Sequence, residues 1–134
     1  MLRLIWSSSS LALDLGLLAM RAVAGLLLMP HGWAKLMSFS ERAEKFPDPL
    51  GVGHTPSLIL IIFAELICSF FLVLGLFSRP VLVPLIIAMS VIVFVIHGSD
   101  PPGEKESAIL YLMTFTALFF AGPGKYSLDK LLRR

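Results

Sequence analysis

An arginine stands in the middle of the first long apolar stretch of this chain, which runs from about residue 12 to residue 35. At a rise of ~1.5 Å per residue, Arg21 lies about 15 Å into a helix that starts near residue 11, close to the midplane of a bilayer. An unpaired charge there costs several kcal/mol, so the residue must be met by protein, water or a polar molecule. Arg21, Gly25, Leu28, Gly32 and Lys35 follow one another at spacings of four, three, four and three, with Asp14 one heptad earlier. That spacing puts them on one helical face, which has to look inward. The two glycines on it allow a second helix to come close.

The rest of the sequence is as apolar as this stretch. Of 134 residues, 57% are hydrophobic and 15% charged, and the mean hydropathy of +0.87 lies far outside the range of soluble domains. Segments at about 12–35, 57–77, 80–97 and 106–122 each approach the roughly 20 residues needed to cross a hydrocarbon core. The expected fold is therefore all-α: a single integral-membrane domain over residues 1–134, built as a four-helix up-down bundle. Arg3, Arg79, Lys125, Lys130, Arg133 and Arg134 fall on the side of both termini, against Lys35, Arg42, Lys45 and Lys105 on the other. The positive-inside rule then puts both ends in the cytoplasm. Arg3, the apolar stretch and Ala22-Val23-Ala24 have some look of a secretory signal, but Arg21 interrupts it, and an uncleaved first span is the reading adopted.

Glu65 sits about eight residues, or ~12 Å, into the second span, at a depth that matches Arg21 entering from the opposite side. The pair Arg21–Glu65 is the expected structural ion pair. Cys68 and Ser69 give Glu65 a face of small residues, and Cys68, the only cysteine, excludes an internal dithiol couple. Ser38-Phe39-Ser40-Glu41 has the spacing of a capping box opening a short interfacial helix. Gly122-Pro123-Gly124 ends the fourth span, and Ser127 is placed to cap a short basic tail helix.

No phosphate loop, dinucleotide fingerprint, paired zinc spacing or nucleophile elbow is present, and no metal site is expected. The chemistry-bearing groups His31, Lys35, His97 and Glu106 instead collect at the outer ends of spans 1, 3 and 4. Converging beneath Trp33, they would form a polar pocket able to hydrogen-bond a carbonyl or hydroxyl and to exchange protons near neutral pH. The alternatives are solvated interfacial side chains, or a bis-histidine haem on His31 and His97, for which no haem motif exists.

The order of these features resembles the DoxX family of small bacterial membrane proteins. It is carried by Arg21 with Gly25, His31-Gly32-Trp33-Ala34-Lys35-Leu36, Glu65 followed by Leu74-Gly75-Leu76 and Arg79, His97, Glu106, and Gly122-Pro123-Gly124 with Ser127-Leu128-Asp129. Where the family has paired glycines after the span-2 glutamate, this chain has Cys68-Ser69. The resemblance implies a bacterial inner-membrane location and a link to respiratory or oxidative-stress redox chemistry, among relatives that include the membrane subunit of thiosulfate:quinone oxidoreductase.

Quinones live in the bilayer and need an apolar entry with a few protonatable groups near its boundary. The sequence is therefore read as a membrane-integral subunit of a quinone-linked redox system. His31, Trp33, Lys35, His97 and Glu106 are its expected quinone-binding residues, and His97 and Glu106 the expected proton-handling ones. It would act as an oxidoreductase only with a partner redox protein as electron donor, since no flavin, haem or metal motif is visible. The competing reading is a non-catalytic anchor or stabilising subunit of a larger redox complex. A small-solute transporter is disfavoured because no inverted repeat or broken helix pair is seen.

Overall fold

The computed structural model describes residues 10–132, and among them every regular element is a helix. The short stretch before the first span, with Arg3, and the terminal Arg133 and Arg134 lie outside the described residues. Helix α1 runs Ser10–Met37, through Pro30 without a break. A four-residue α2, Phe39–Arg42, follows. Helix α3, His54–Leu74, is α-helical over His54–Ile62, widens to a π-helix over Phe63–Cys68 and returns to α-helix over Ser69–Leu74. Helix α4, Ser78–Ile96, also ends in a π-helical turn, Ile92–Ile96. A 3-10 turn at Pro102–Lys105 leads into α5, Glu106–Ala121, and α6, Leu128–Leu132, closes the described chain.

Three of these helices, α1 from Leu11, α3 and α4, are long and apolar enough to cross a membrane. The chain is a multi-pass membrane protein. The segment expected as a fourth span forms α5, whose 16 residues reach only about 24 Å at 1.5 Å per residue, short of a ~30 Å hydrocarbon core.

Helix α1 packs on α3, α3 on α4, α4 on α5, and α5 back on α1. The directions alternate. Gly25 of α1 lies against Ser69 and Val73 of α3, whereas Gly32 lies against Glu65 and Leu66. A Cβ at Gly32 would come within 2.9 Å of the Leu66 nitrogen and 3.0 Å of the Glu65 carbonyl carbon, so only glycine allows this approach. The expectation that the α1 glycines serve close helix contact is thus met. Between the helices lies a core of Leu28, Ala64, Cys68, Leu72, Leu82, Leu85, Met89, Phe115 and Leu118. Much of the remaining apolar surface, including Leu26, Phe70, Phe94 and Phe120, faces outward, as lipid-facing helices require.

The helix ends are closed by side chains from elsewhere in the sequence. Lys105 Nζ donates to the carbonyls of Val93 and His97, at 3.0 and 3.1 Å, at the C-terminus of α4. Arg79 Nε donates to the Phe119 carbonyl at 3.0 Å near the end of α5. Both satisfy acceptors that a helix leaves over and place a cation at its negative pole. The capping box expected at Ser38 is not formed. Ser38 Oγ donates back to the Ala34 carbonyl and accepts from Arg42 Nε, so it extends the end of α1 rather than starting α2.

The α2–α3 connection is held by one carboxylate. Asp48 accepts hydrogen bonds from the Val52 and Gly53 N–H groups, both at 2.9 Å, and from Ser57 Oγ at 3.1 Å. Burial by itself pushes this carboxyl up, but the bonds from Gly53, Ser57 and Val52, with His54 nearby, hold it below the ordinary carboxylate value. A carboxyl depressed in the folded state adds stability above its unfolded pKa, roughly 4, and loses it as pH falls toward the folded value. Amide exchange at Val52 and Gly53 should therefore be slow at pH 6 and accelerate below about pH 4 beyond the intrinsic trend. Asp48→Asn should remove most of that dependence. An unchanged profile in the variant would show that the carboxylate does not hold the loop.

Candidate functional site

Among the described residues two charged side chains are buried in the helical interior, Arg21 at 1% exposure and Glu65 at 3%, and they are not partners. Glu65 Oε2 is bound by Lys35 Nζ at 2.7 Å. Arg21 donates through Nη1 to the Pro123 carbonyl and through Nη2 to the Tyr126 carbonyl, the latter at 2.7 Å, with Asp129 as the carboxylate in electrostatic reach. The expected Arg21–Glu65 pair is thus replaced by two separate arrangements. The reason is register: Glu65 lies level with Gly32, while Arg21 lies level with Gly75, whose Cβ would come within 2.9 Å of the Arg21 guanidinium carbon. Eleven residues of α1 separate those levels, about 16 Å at 1.5 Å per residue.

Around Arg21, the segment Gly122–Asp129 folds across the end of the molecule that holds both described termini. Asp14 Oδ1 accepts from the Lys125 N–H at 3.0 Å, and the Asp129 N–H donates to the Gly75 carbonyl at 2.9 Å. Asp129 then uses both carboxylate oxygens, accepting from the Phe77 N–H at 2.7 Å and the Ser78 N–H at 2.8 Å. It is the N-terminal cap of α4, supplied from 51 residues downstream of Ser78. Gly75 and Phe77 sit at φ values of 71° and 50°, the left-handed turn that presents those N–H groups. Ser127 caps α6 as expected, its Oγ accepting from the Lys130 N–H at 3.3 Å. Removing a cap carboxylate costs roughly 1 kcal/mol. Asp129→Ala should lower stability by about that much, with exchange rising first at Phe77 and Ser78; protection unchanged there would exclude the cap.

The Lys35–Glu65 pair is the arrangement with chemical potential. Glu65 sits inside the π-helical turn Phe63–Cys68, a distortion that leaves backbone groups off the regular ladder and is frequent at functional sites. Lys35 reaches in from the last turn of α1, its side chain 19% exposed against 5% for Glu65. The pair thus spans from interior to outer boundary. Tyr111 of α5, which stacks on the buried Phe115 with ring centroids 5.9 Å apart, lies within electrostatic reach of Glu65. Nothing in the sequence pointed to Tyr111, because a tyrosine in an apolar run reads as core.

The other expected site residues are dispersed. His31 and Trp33 lie on the exposed side of α1, Trp33 at 56% exposure. His97 Nδ1 is 2.7 Å from Asp100 Oδ2, and Glu106 is exposed in the first turn of α5. Among the described residues no hydrogen bond or ion pair joins any two of His31, Trp33, Lys35, His97 and Glu106. Lys35 is drawn inward by Glu65 and His97 is taken by its neighbour three residues on.

Residues 16–98 match the family model described as DoxX, a stretch that holds Arg21, Gly25, Gly32, Lys35, Glu65, Gly75 and His97. The chain belongs to the DoxX family. An uncharacterized protein of Haemophilus influenzae is 28% identical to this DoxX protein over 117 residues, covering 82% of this chain and 85% of the relative. No solved structure matches it. The matched stretch contains the whole Lys35–Glu65 pair and the donor side of the Arg21 clasp. The acceptor carbonyls of Pro123 and Tyr126 lie beyond it.

Proposed function

We propose that this DoxX protein is the membrane-integral subunit of a quinone-linked redox system in a bacterial inner membrane, crossing it four times with both termini cytoplasmic. The observation that carries this reading is the Lys35–Glu65 pair. A lysine and a glutamate bound to each other inside a membrane helix cluster are costly, and such groups commonly mark ion, proton or ligand paths. Reduction of a quinone takes up two electrons and two protons and releases the quinol. A partner redox protein supplies the electrons. The protons come from water at the outer end, where His97 with Asp100 and the exposed Glu106 stand, and pass inward by way of Lys35 and Glu65.

Protein purified in mild detergent and extracted into organic solvent should release quinone in near-stoichiometric amount, and a quinone pool should be reduced by the membrane-bound partner only when this chain is present. His97→Ala and Glu106→Gln should slow that reduction while leaving bound quinone in place. Stable copurification with other subunits and no extractable quinone would instead establish an anchoring subunit. Reporter fusions after residue 132 and near Asp48 test the orientation; an external C-terminus would reverse it.

A further inference from the structure

Resting on the quinone reading, we infer that a lipid-soluble ring bearing acceptor oxygens occupies the lateral groove between α1 and α5, with the Tyr111 hydroxyl donating to a ring oxygen. The groove has a volume of about 530 Å³, within the ordinary range of small-molecule sites. Val23, Ala24 and Leu27 form one wall and Leu110, Tyr111 and Thr114 the other. Val23, Leu27 and Leu110 are each more than half exposed, so the mouth opens on the lipid-facing surface, whereas Ala24, at 7%, is part of the interior. A ligand dissolved in the membrane enters without crossing water.

Three features select a polar ring over a plain acyl chain. Thr114 Oγ1 already donates to the Leu110 carbonyl at 2.8 Å, but the Tyr111 hydroxyl makes no hydrogen bond to another described residue and, with the exposed Ser107 at the rim, is a donor left over in a mostly apolar slot. An unmet hydroxyl in such surroundings is a standing cost that an acceptor oxygen removes and a hydrocarbon does not. The Tyr111 ring is also stacked at 21° on Phe115, which fixes its plane and offers a flat ligand an oriented neighbour. Finally, Glu65 is a carboxylate within electrostatic reach of the Tyr111 phenol. This places the ligand between α1 and α5, apart from the outward-facing His31 and from His97.

The test uses the full chain in nanodiscs and a short-tailed azidobenzoquinone as photolabel, with labelled peptides mapped by mass spectrometry. Label should fall on residues 19–27 and 107–114 and be competed by a short-chain quinone but not by added phospholipid. Val23→Trp, which fills the mouth from an exposed position, should cut labelling at least tenfold. Tyr111→Phe should weaken competition by about tenfold, the loss of one hydrogen bond. Thermal unfolding of both variants verifies that they are folded. Competition by phospholipid as effective as by quinone would overturn the proposal in favour of an acyl-chain slot. Quinone-competed label elsewhere in the chain would overturn the groove and leave the quinone reading standing. No competed label, together with no extractable quinone, would overturn both.

Discussion

Lys35→Met destabilises the folded protein by about 3 to 5 kcal/mol, because it leaves the Glu65 carboxylate buried at 3% exposure with its cation gone. Glu65→Leu alone has a smaller effect, since Lys35 is partly exposed and can turn its ammonium toward the headgroups. The double variant, Lys35→Met with Glu65→Leu, recovers more than half of the loss from Lys35→Met, as two apolar groups replace two charges that satisfied mainly each other. Unfolding in mixed detergent micelles, followed by circular dichroism for the two single variants and the double, measures this. Strict additivity would mean that the 2.7 Å contact contributes no coupling.

Arg21→Ala is the second large effect, for a different reason. Here the hydrogen bonds of the guanidinium go to two backbone carbonyls, of Pro123 and Tyr126, with the Asp129 carboxylate in electrostatic reach. Hydrogen bonds to a charged group contribute about 1.5 to 3 kcal/mol each, and truncation also empties the space of the largest fully buried side chain. A loss of about 3 kcal/mol or more is expected, with amide exchange rising across residues 122–132 before it rises in α3. Arg21→Lys should recover only part of this, because one ammonium cannot span two carbonyls as the planar fork does. A variant with normal protection over 122–132 would show that the clasp is held by something other than Arg21.

The helices are largely legible in the sequence, and the contacts between distant segments are not. Long apolar runs and the glycine-bearing face of α1 are local patterns, so the spacing of Gly25 and Gly32 is enough to set them against a neighbouring helix. The inward positions of Arg21 and Glu65 follow from the same logic. Their partners do not: charge depth reckoned from assumed helix starts carries an error of several residues, and α3 begins at His54 instead of residue 57. That three-residue difference accounts for only about 4.5 Å of the separation between the two levels, and which cation meets Glu65 is fixed by the tertiary register of α1 against α3.

The site shows the same division. His31 and Trp33 share an end of the helices with Lys35 but face outward, a distinction of about 100° per residue that only the helix contacts fix. Tyr111 has no sequence signal of its own, because its significance lies in what it touches. The π-helical turn around Glu65 likewise has no signature in Phe63-Ala64-Glu65-Leu66-Ile67-Cys68, a sequence equally at home in a regular helix. The Asp48 loop is visible as a proline- and glycine-rich passage, yet its organising carboxylate is not.

The cap that Asp129 places on α4 bears on how the protein is made. A ribosome delivers residues 77 and 78 to the membrane some fifty codons before it delivers the carboxylate that closes their N–H groups. Until then the turn at Gly75–Phe77 has no lid, and Arg21 gains its carbonyls, of Pro123 and Tyr126, only a few residues earlier. The helices can insert in order, but the end of the protein carrying both described termini locks only after Asp129 has been made. Nascent chains halted before Asp129 should therefore stay open to a protease that cuts at residues 75–78, with resistance appearing once Asp129 has emerged.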